Sequence, residues 1–403
     1  MIAPSDLNFD PAPVQTVSKR DFASPRQLRA LQLGLGWFPE NPGGLDRYYF
    51  DLLNRFPAAG VQVRGLVCGS PVVQSQSMGT VRSAASASTP MAKRLLAFRK
   101  AFRLEMADFE PDVIGAHFAL YAFPVLGSLK GKPLVMHFHG PWHKESKLEG
   151  VGRLSCWARY QAERAVYRRA DRLVTLSEFF KRELIRSFKI DESRIEVIPG
   201  GVDCRRFDVN ESRAQAREQL GWPADRPILL TVRRLTRRMG LENVIDACAL
   251  IREKCPDALL HIAGSGKLKD ELQAKIDAMG LQDHVRLLGF LPDEDLPLAY
   301  RAADVSIVPS LTLEGFGLVA AESLAAGTPV IATPVGGLPE IICPFRPELL
   351  ARGIAAKHLA DVVIPALLDL QRLPDRAECM LYAERYDWST VSMALREVFA
   401  SVI

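Results

Sequence analysis

Short apolar runs bounded by turn residues alternate with helical stretches twice along this chain of 403 residues, and the alternation breaks once, over GGVDCRRFDVNESRAQAREQLGWPADRP at 200–227. This rhythm constrains the fold most, because repeated βαβα units bury a parallel sheet between two layers of helices. The first series reads as strands Leu31–Phe38, Val61–Val67, Asp112–His117, Pro133–His139, Arg172–Leu176 and Ile195–Pro199. Helices Leu45–Phe56, Lys93–Ala107 and Leu154–Ala170 lie between them. The Ser/Ala/Gln/Thr-rich stretch 69–90 reads as a long mobile loop. The second series runs through strands Ile228–Val232, Leu259–Ala263, Val285–Phe290, Val305–Pro309 and Pro329–Thr333. The expectation is an α/β chain of two Rossmann-like, doubly wound domains facing across a cleft, with ligands at the carboxyl ends of the strands. Residues 1–25 read as a flexible N-terminal tail, 26–205 as an N-terminal domain, 206–380 as a C-terminal domain, and 381–403 as a C-terminal helix whose packing partner the sequence leaves open, a return to the first half being one option.

The richest stretch is PSLTLEGFGLVAAESLAAGTPVIATPVGGLPEII, Pro309 to Ile342. A strand end meets Glu314, and a turn of Gly315, Phe316 and Gly317 opens an Ala/Leu-rich helix that begins with Leu318 and Val319 and carries Glu322. Glycines at a helix start let backbone N–H groups approach an anion, and the helix N-terminus adds about half a positive charge. A phosphate cradle with two carboxylates suits a ligand carrying phosphate and hydroxyl groups. Glu322 is placed to accept from a ribose diol, and Glu314 faces the group beyond the phosphates. The plain alternative for either is a helix-start carboxylate favoured by the dipole.

Four guanidiniums, Arg233, Arg234, Arg237 and Arg238, crowd a strand end and would repel unless an anion answers them, which favours a diphosphate over a solvated basic face. Gly264 opens a G-x-G turn that only loosely suggests a phosphate loop. Gly43 and Gly44 precede a helix and form a second candidate turn, for an anion or an acceptor. His139 ends the strand in HFHG and could meet a sugar hydroxyl; a structural histidine is the bland reading. His137 and His143 stand nearby, which raises zinc, but no second cluster of Cys or acidic ligands accompanies them and no metal site is expected.

Totals remove other classes. A net charge of +4 is too mild to argue for nucleic acid. Seven scattered cysteines, never in a C-x-x-C pair, favour free thiols in a reducing compartment. No apolar run approaches the ~20 residues of a spanning helix. On the Lys93–Ala107 helix, Lys93, Arg94, Arg99, Lys100 and Arg103 interleave with Leu95, Leu96, Phe98, Phe102 and Leu104, a pattern that can lie on an anionic membrane or pack on a sheet. The expected location is cytoplasmic, with peripheral contact on the inner membrane face.

EGFGLVAAE followed by GTPVIATPVGGLPEI closely resembles the signature of the family-4 retaining glycosyltransferases. NPGGLDRYYFDLL is similar to the family's first glycine turn, VMHFHGPW to its catalytic-histidine segment, VIPGGVDCRRF to its interdomain linker and GFLPDEDLPLAYRAADVSIVPS to its base-binding region. The resemblance implies a GT-B fold and a metal-independent, cofactor-free hexosyltransferase, moving a sugar from a nucleotide diphosphosugar with retention to a glycan or lipid-linked acceptor. By the same resemblance Glu314 contacts the donor sugar, Glu322 holds the ribose, and Phe290 and Leu291 lie at the base. Arg234 and the amides at Phe316–Val319 hold the diphosphate, and His139 lines the acceptor side. One departure stands out: the family's V-G-R-L and following lysine appear as Val232-Arg233-Arg234-Leu235, with Met239 before Gly240. Arg238, one residue early, is expected to replace that lysine. Two other readings are open, another GT-B enzyme such as an epimerase or phosphorylase, and a non-catalytic nucleotide-sugar binder.

Overall fold

A computed structural model describes residues 27–41 and 43–403; the expected tail over 1–25, and Pro42 of the first glycine turn, lie outside the described residues. Among the described residues, the first sheet has seven strands: β1 (Leu28–Leu33), β2 (Val61–Val67), β3 (Val81–Ser83), β4 (Val113–Ala116), β5 (Leu134–Phe138), β6 (Arg172–Thr175) and β7 (Ile195–Val197). Their order is β3-β2-β1-β4-β5-β6-β7, parallel throughout. The second sheet has five, β8 (Ile228–Val232), β9 (Leu259–Ala263), β10 (Val285–Gly289), β11 (Val305–Val308) and β12 (Val330–Ala332), parallel in the order β10-β9-β8-β11-β12. Every residue of β4, β5 and β9 is buried, as strands covered on both faces must be.

In each sheet the strand order reverses beside the first strand of the series, between β1 and β4 and between β8 and β11. Crevices form at such switch points because consecutive connections leave in opposite directions. The loops leaving these four strands carry Gly43, His117, Arg233 and Glu314, so topology brings distant residues to two facing crevices.

Two stretches differ from the sequence expectation. The first strand is Leu28–Leu33 rather than Leu31–Phe38, its register running from Leu28 opposite Val61 to Leu33 opposite Leu66. The apolar residues beyond it serve a buried loop: Trp37 is buried, with its ring 5.0 Å from Phe50, and the Gly36 amide donates to Asp46 at 2.9 Å. The stretch 69–90 is no long loop, since it holds the helix Val72–Gln76 and the edge strand β3. Its serines replace missing ladder partners: Ser77 Oγ accepts from the Val81 amide at 3.1 Å, and Ser83 Oγ donates to Gly69 O at 2.7 Å.

The chain crosses back at its end. Val202 N donates to Tyr386 O at 2.8 Å and Trp388 N to Val202 O at 3.1 Å, a crossing that requires Gly201, whose Cβ would lie 2.3 Å from the Trp388 ring. The Trp388–Ala400 helix, capped by Asp387 through the Ser389 amide at 2.8 Å, then packs on the Gly44–Arg55 helix of the first half. Tyr48 meets Trp388 at 5.2 Å and Phe56 meets Phe399 at 5.5 Å.

Candidate functional site

The cradle is built as a backbone device. Gly317 has φ +98 and begins the Leu318–Ala325 helix; a Cβ there would lie 2.5 Å from Leu338 Cδ2. The amides of Phe316, Gly317, Leu318 and Val319 find no acceptor among the described residues, and the helix ladder starts with Ala320 N donating to Gly317 O at 2.8 Å. Four successive N–H groups at a helix start are what an anion recognises. The next turn braces the loop: Gly337 N donates to Glu314 O at 3.0 Å, and a Cβ on Gly336 would lie 1.8 Å from that oxygen.

The two carboxylates have separate surroundings. Glu314 pairs with the Arg233 guanidinium and accepts from Ser310 Oγ at 2.9 Å. Burial alone would raise its carboxyl, but Arg233, Ser310 and Arg238 together hold it below its ordinary value, so it stays ionised. Glu322 accepts from the Tyr300 hydroxyl at 3.2 Å in a recess of about 10 Å³ shared with Arg47, Arg206, Phe207 and Leu318. Burial raises its carboxyl, and Arg47 and Arg206 oppose the rise.

Of the arginines, sequence reasoning assigned Arg234 and Arg238 and missed Arg233 as a partner of Glu314. Arg233 is buried in the first position beyond β8, while Arg234 next to it is exposed, a difference that no sequence signal marks. Arg238 bridges the halves, donating to Leu313 O at 3.2 Å and lying 3.6 Å from Glu145. Gly264 spends its amide on Gly289 O at 2.7 Å, and a Cβ there would meet Arg233 O at 1.9 Å, so its visible part is close packing under the arginine loop. Phe290 is 60% exposed, with Leu291 half-buried beside it.

Further contacts hold the crevices face to face, and none was singled out from sequence. Arg47 bonds Asp51 at 2.9 Å and Asp293 at 2.6 Å; Arg206 meets the same Asp293 carboxylate at 2.8 Å. Glu340 accepts the amides of Glu178 at 2.8 Å and Phe179 at 2.9 Å, capping a helix of the other half. Ser177 Oγ donates to Gly315 O at 2.5 Å.

The histidine cluster differs from the one weighed in the sequence. His117 joins His137 and His139, its ring stacked on His137 at 4.2 Å, whereas His143 turns away to Glu163 at 2.7 Å. His117 Nδ1 lies 3.3 Å from His139 Nε2, and its Nε2 lies 3.1 Å from Gln32 Oε1. Among the described residues no three His, Cys, Asp or Glu side chains converge on a point that could hold an ion. Burial lowers all three rings, His139 to about 4, so they are neutral near pH 7. Protons therefore favour the unfolded chain: stability is complete above pH 6.5 and falls as pH drops from there toward about 4, with His139 alone worth about 3 kcal/mol. Urea midpoints should fall over that window, with a shallower slope in His137→Leu; a flat profile would contradict buried neutral rings.

Comparison with known proteins identifies the family and the fold. Residues 42–206 match the family model described as Glycosyltransferase Family 4, and residues 212–384 match Glycosyl transferases group 1. A D-inositol 3-phosphate glycosyltransferase of Streptomyces scabiei is 30% identical over 391 residues, covering 90% of this chain and 87% of that one. An uncharacterized glycosyltransferase of Methanocaldococcus jannaschii is 33% identical over 239 residues, 56% of this chain and 59% of its own. The solved structure of Anabaena HepE in complex with UDP and glucose superposes with a TM-score of 0.76 at 21% identity, covering 93% of this chain and 100% of that one.

Proposed function

The chain belongs to the group 1, family 4 glycosyltransferases of GT-B fold, and from that premise we propose that it is a retaining, metal-independent hexosyltransferase acting on a glycan or lipid-linked acceptor. The nucleotide diphosphosugar is its co-substrate. The observation that carries this reading is the row of amides at Phe316–Val319, without acceptors among the described residues and set between an ionised Glu314 and the Glu322 recess.

Departure of the nucleotide diphosphate builds negative charge, which those amides, Arg234 and Arg238 stabilise in the place a divalent ion would otherwise take. The departing phosphate, on the same face as the acceptor, takes the acceptor's proton. Arg238 fills the role of the displaced lysine, its reach fixed by Glu145 and Leu313. Glu314 receives donor hydroxyls near the anomeric carbon, His139 lines the acceptor side, and Phe290 offers its exposed face to the base. The HepE complex, a protein of the same fold, carries UDP and glucose. The contacts Arg47–Asp293 and Ser177–Gly315 close the crevices against water, which would hydrolyse the donor.

A panel of UDP-, GDP- and ADP-sugars with product identification tests the reading. A transferase releases nucleotide diphosphate slowly without acceptor; a new epimer, or binding without turnover in the presence of cell-lipid extract, would replace it with the rival readings. Glu322→Ala should weaken nucleotide binding by about 10- to 100-fold, since hydrogen bonds to charged groups are worth about 1.5–3 kcal/mol. Unchanged affinity by calorimetry would remove the ribose role.

The helix Met91–Asp108 supports a membrane contact as part of the proposal. Phe98 and Phe102 are buried against the sheet, yet Leu96 and Leu104 are exposed at 69% and 46% among the exposed cations Lys93, Arg99, Lys100 and Arg103. No helix among the described residues is long and apolar enough to cross a membrane. Weak peripheral attachment at the cytoplasmic face is the proposal. Flotation with anionic vesicles at low salt should recover the protein, and 0.5 M-scale salt (roughly a 4 Å screening length) should release it; no flotation at low salt would end this proposal.

A further inference from the structure

Gln32 is a fully buried amide inside a parallel sheet, in β1, and both residues opposite it in the ladder are glycines, Gly65 in β2 and Gly115 in β4. Glycine weakens a strand and often marks a close approach. A Cβ on Gly115 would lie 2.0 Å from Gln32 Oε1, so β4 leaves room for the amide. That oxygen lies 3.1 Å from His117 Nε2, and His117 Nδ1 lies 3.3 Å from His139 Nε2. Gln32 Nε2 has no partner, a cost that a purely structural amide would not carry in a buried strand.

Packing holds each ring in this line. His117 is stacked on His137 at 4.2 Å and meets Tyr49 edge-on at 5.1 Å, while Tyr48 meets His139 edge-on at 4.9 Å. Each neutral ring carries one proton, so the first member sets the direction of every bond that follows. The amide oxygen only accepts, which puts the His117 proton on Nε2. His117 Nδ1 is then an acceptor, and His139 donates to it from Nε2. Nδ1 of His139 is left with a lone pair. In the three stacked rings it is the one nitrogen neither bonded within the cluster nor buried without a partner, and His139 itself is half-buried.

We propose that Gln32 and His117 are positioning residues that hold His139 as its Nε2–H tautomer, so that Nδ1 offers its lone pair to a hydroxyl of the acceptor. Both are buried and act through His139. The tautomer follows from the fold alone; its use on an acceptor rests on the transferase reading.

The test is two-bond proton–nitrogen NMR of the full chain, isotope-labelled in histidine, near neutral pH. His117 and His139 should both carry the proton on Nε2. Gln32→Leu should move it to Nδ1 in both rings, because an N–H facing hydrocarbon has lost its acceptor. His117→Phe should do the same to His139, and serves if Gln32→Leu does not fold. His137→Phe keeps the stacked ring and should leave both tautomers in place. With an accepting substrate from the nucleotide-sugar panel, Gln32→Leu should raise the acceptor KM by about three- to tenfold, the worth of about one hydrogen bond, with kcat kept. A wild-type His139 protonated on Nδ1, tautomers unmoved in Gln32→Leu and His117→Phe, or the same change in His137→Phe would overturn the relay. A reversed tautomer with an unchanged acceptor KM would overturn its use on the acceptor. Expected tautomers without transfer to any acceptor would remove the transferase reading, and that use with it, while the relay stands.

Discussion

Glu314→Gln should lower kcat/KM by about 100- to 1,000-fold, the loss expected when one preorganised electrostatic group is taken from a transition state. The substitution keeps the shape and removes the charge. Nucleotide affinity should persist, because the amides at Phe316–Val319 remain. Stability should fall as well. The Glu314 and Arg233 side chains are only 12% and 7% exposed, and breaking a buried pair from one side costs about 3–5 kcal/mol, since the guanidinium is left without its counter-charge. The pH dependence has a definite sign. The folded carboxyl titrates below its ordinary value of 4.5, so the pair's stabilisation is present above pH 4.5 and is lost as pH falls through the folded value. Initial rates and urea unfolding on the same variant read both effects. Wild-type turnover in Glu314→Gln would remove the role assigned to this residue.

The second large effect should come from Arg233→Met, a residue absent from the family pattern read in the sequence. Without the guanidinium, burial is opposed only by the Ser310 hydroxyl and the more distant Arg238, so the Glu314 carboxyl should rise above 4.5 rather than lie below it. The acid limb of the pH–rate profile should move up with it. A double-mutant cycle of Arg233→Met with Glu314→Gln should show a coupling of about 1–3 kcal/mol, as expected for groups in direct contact. Additive losses and an unmoved acid limb would show that Arg233 only packs beneath the loop.

Periodicity made both sheets legible, because strands covered on both faces are written as apolar runs between turn residues. It failed where burial has another cause. Trp37 and Phe38 are apolar because a loop packs against Phe50 of the Gly44–Arg55 helix, not because β1 continues. β3 was hidden since a three-residue edge strand needs only one buried side chain, Val81, and borrows serine hydroxyls for its remaining bonds. The cradle was readable as local chemistry in one continuous stretch. Long-range partners were not: Arg47 and Asp293 are 246 residues apart, and His117 reaches His139 only through the pairing of β4 with β5. Arg233 lay between these cases, adjacent to an assigned arginine but buried where its neighbour is exposed.

In the proposed reaction, backbone amides and arginines carry the leaving diphosphate of a nucleotide sugar without a bound ion. Its most direct measurement is proton NMR of transfer, with the best donor from the panel and an accepting substrate, in excess EDTA. The account predicts full turnover, stoichiometric release of nucleotide diphosphate, and a product with the donor's anomeric configuration. Loss of turnover on chelation with recovery on adding a divalent ion, or a product of inverted configuration, would contradict it.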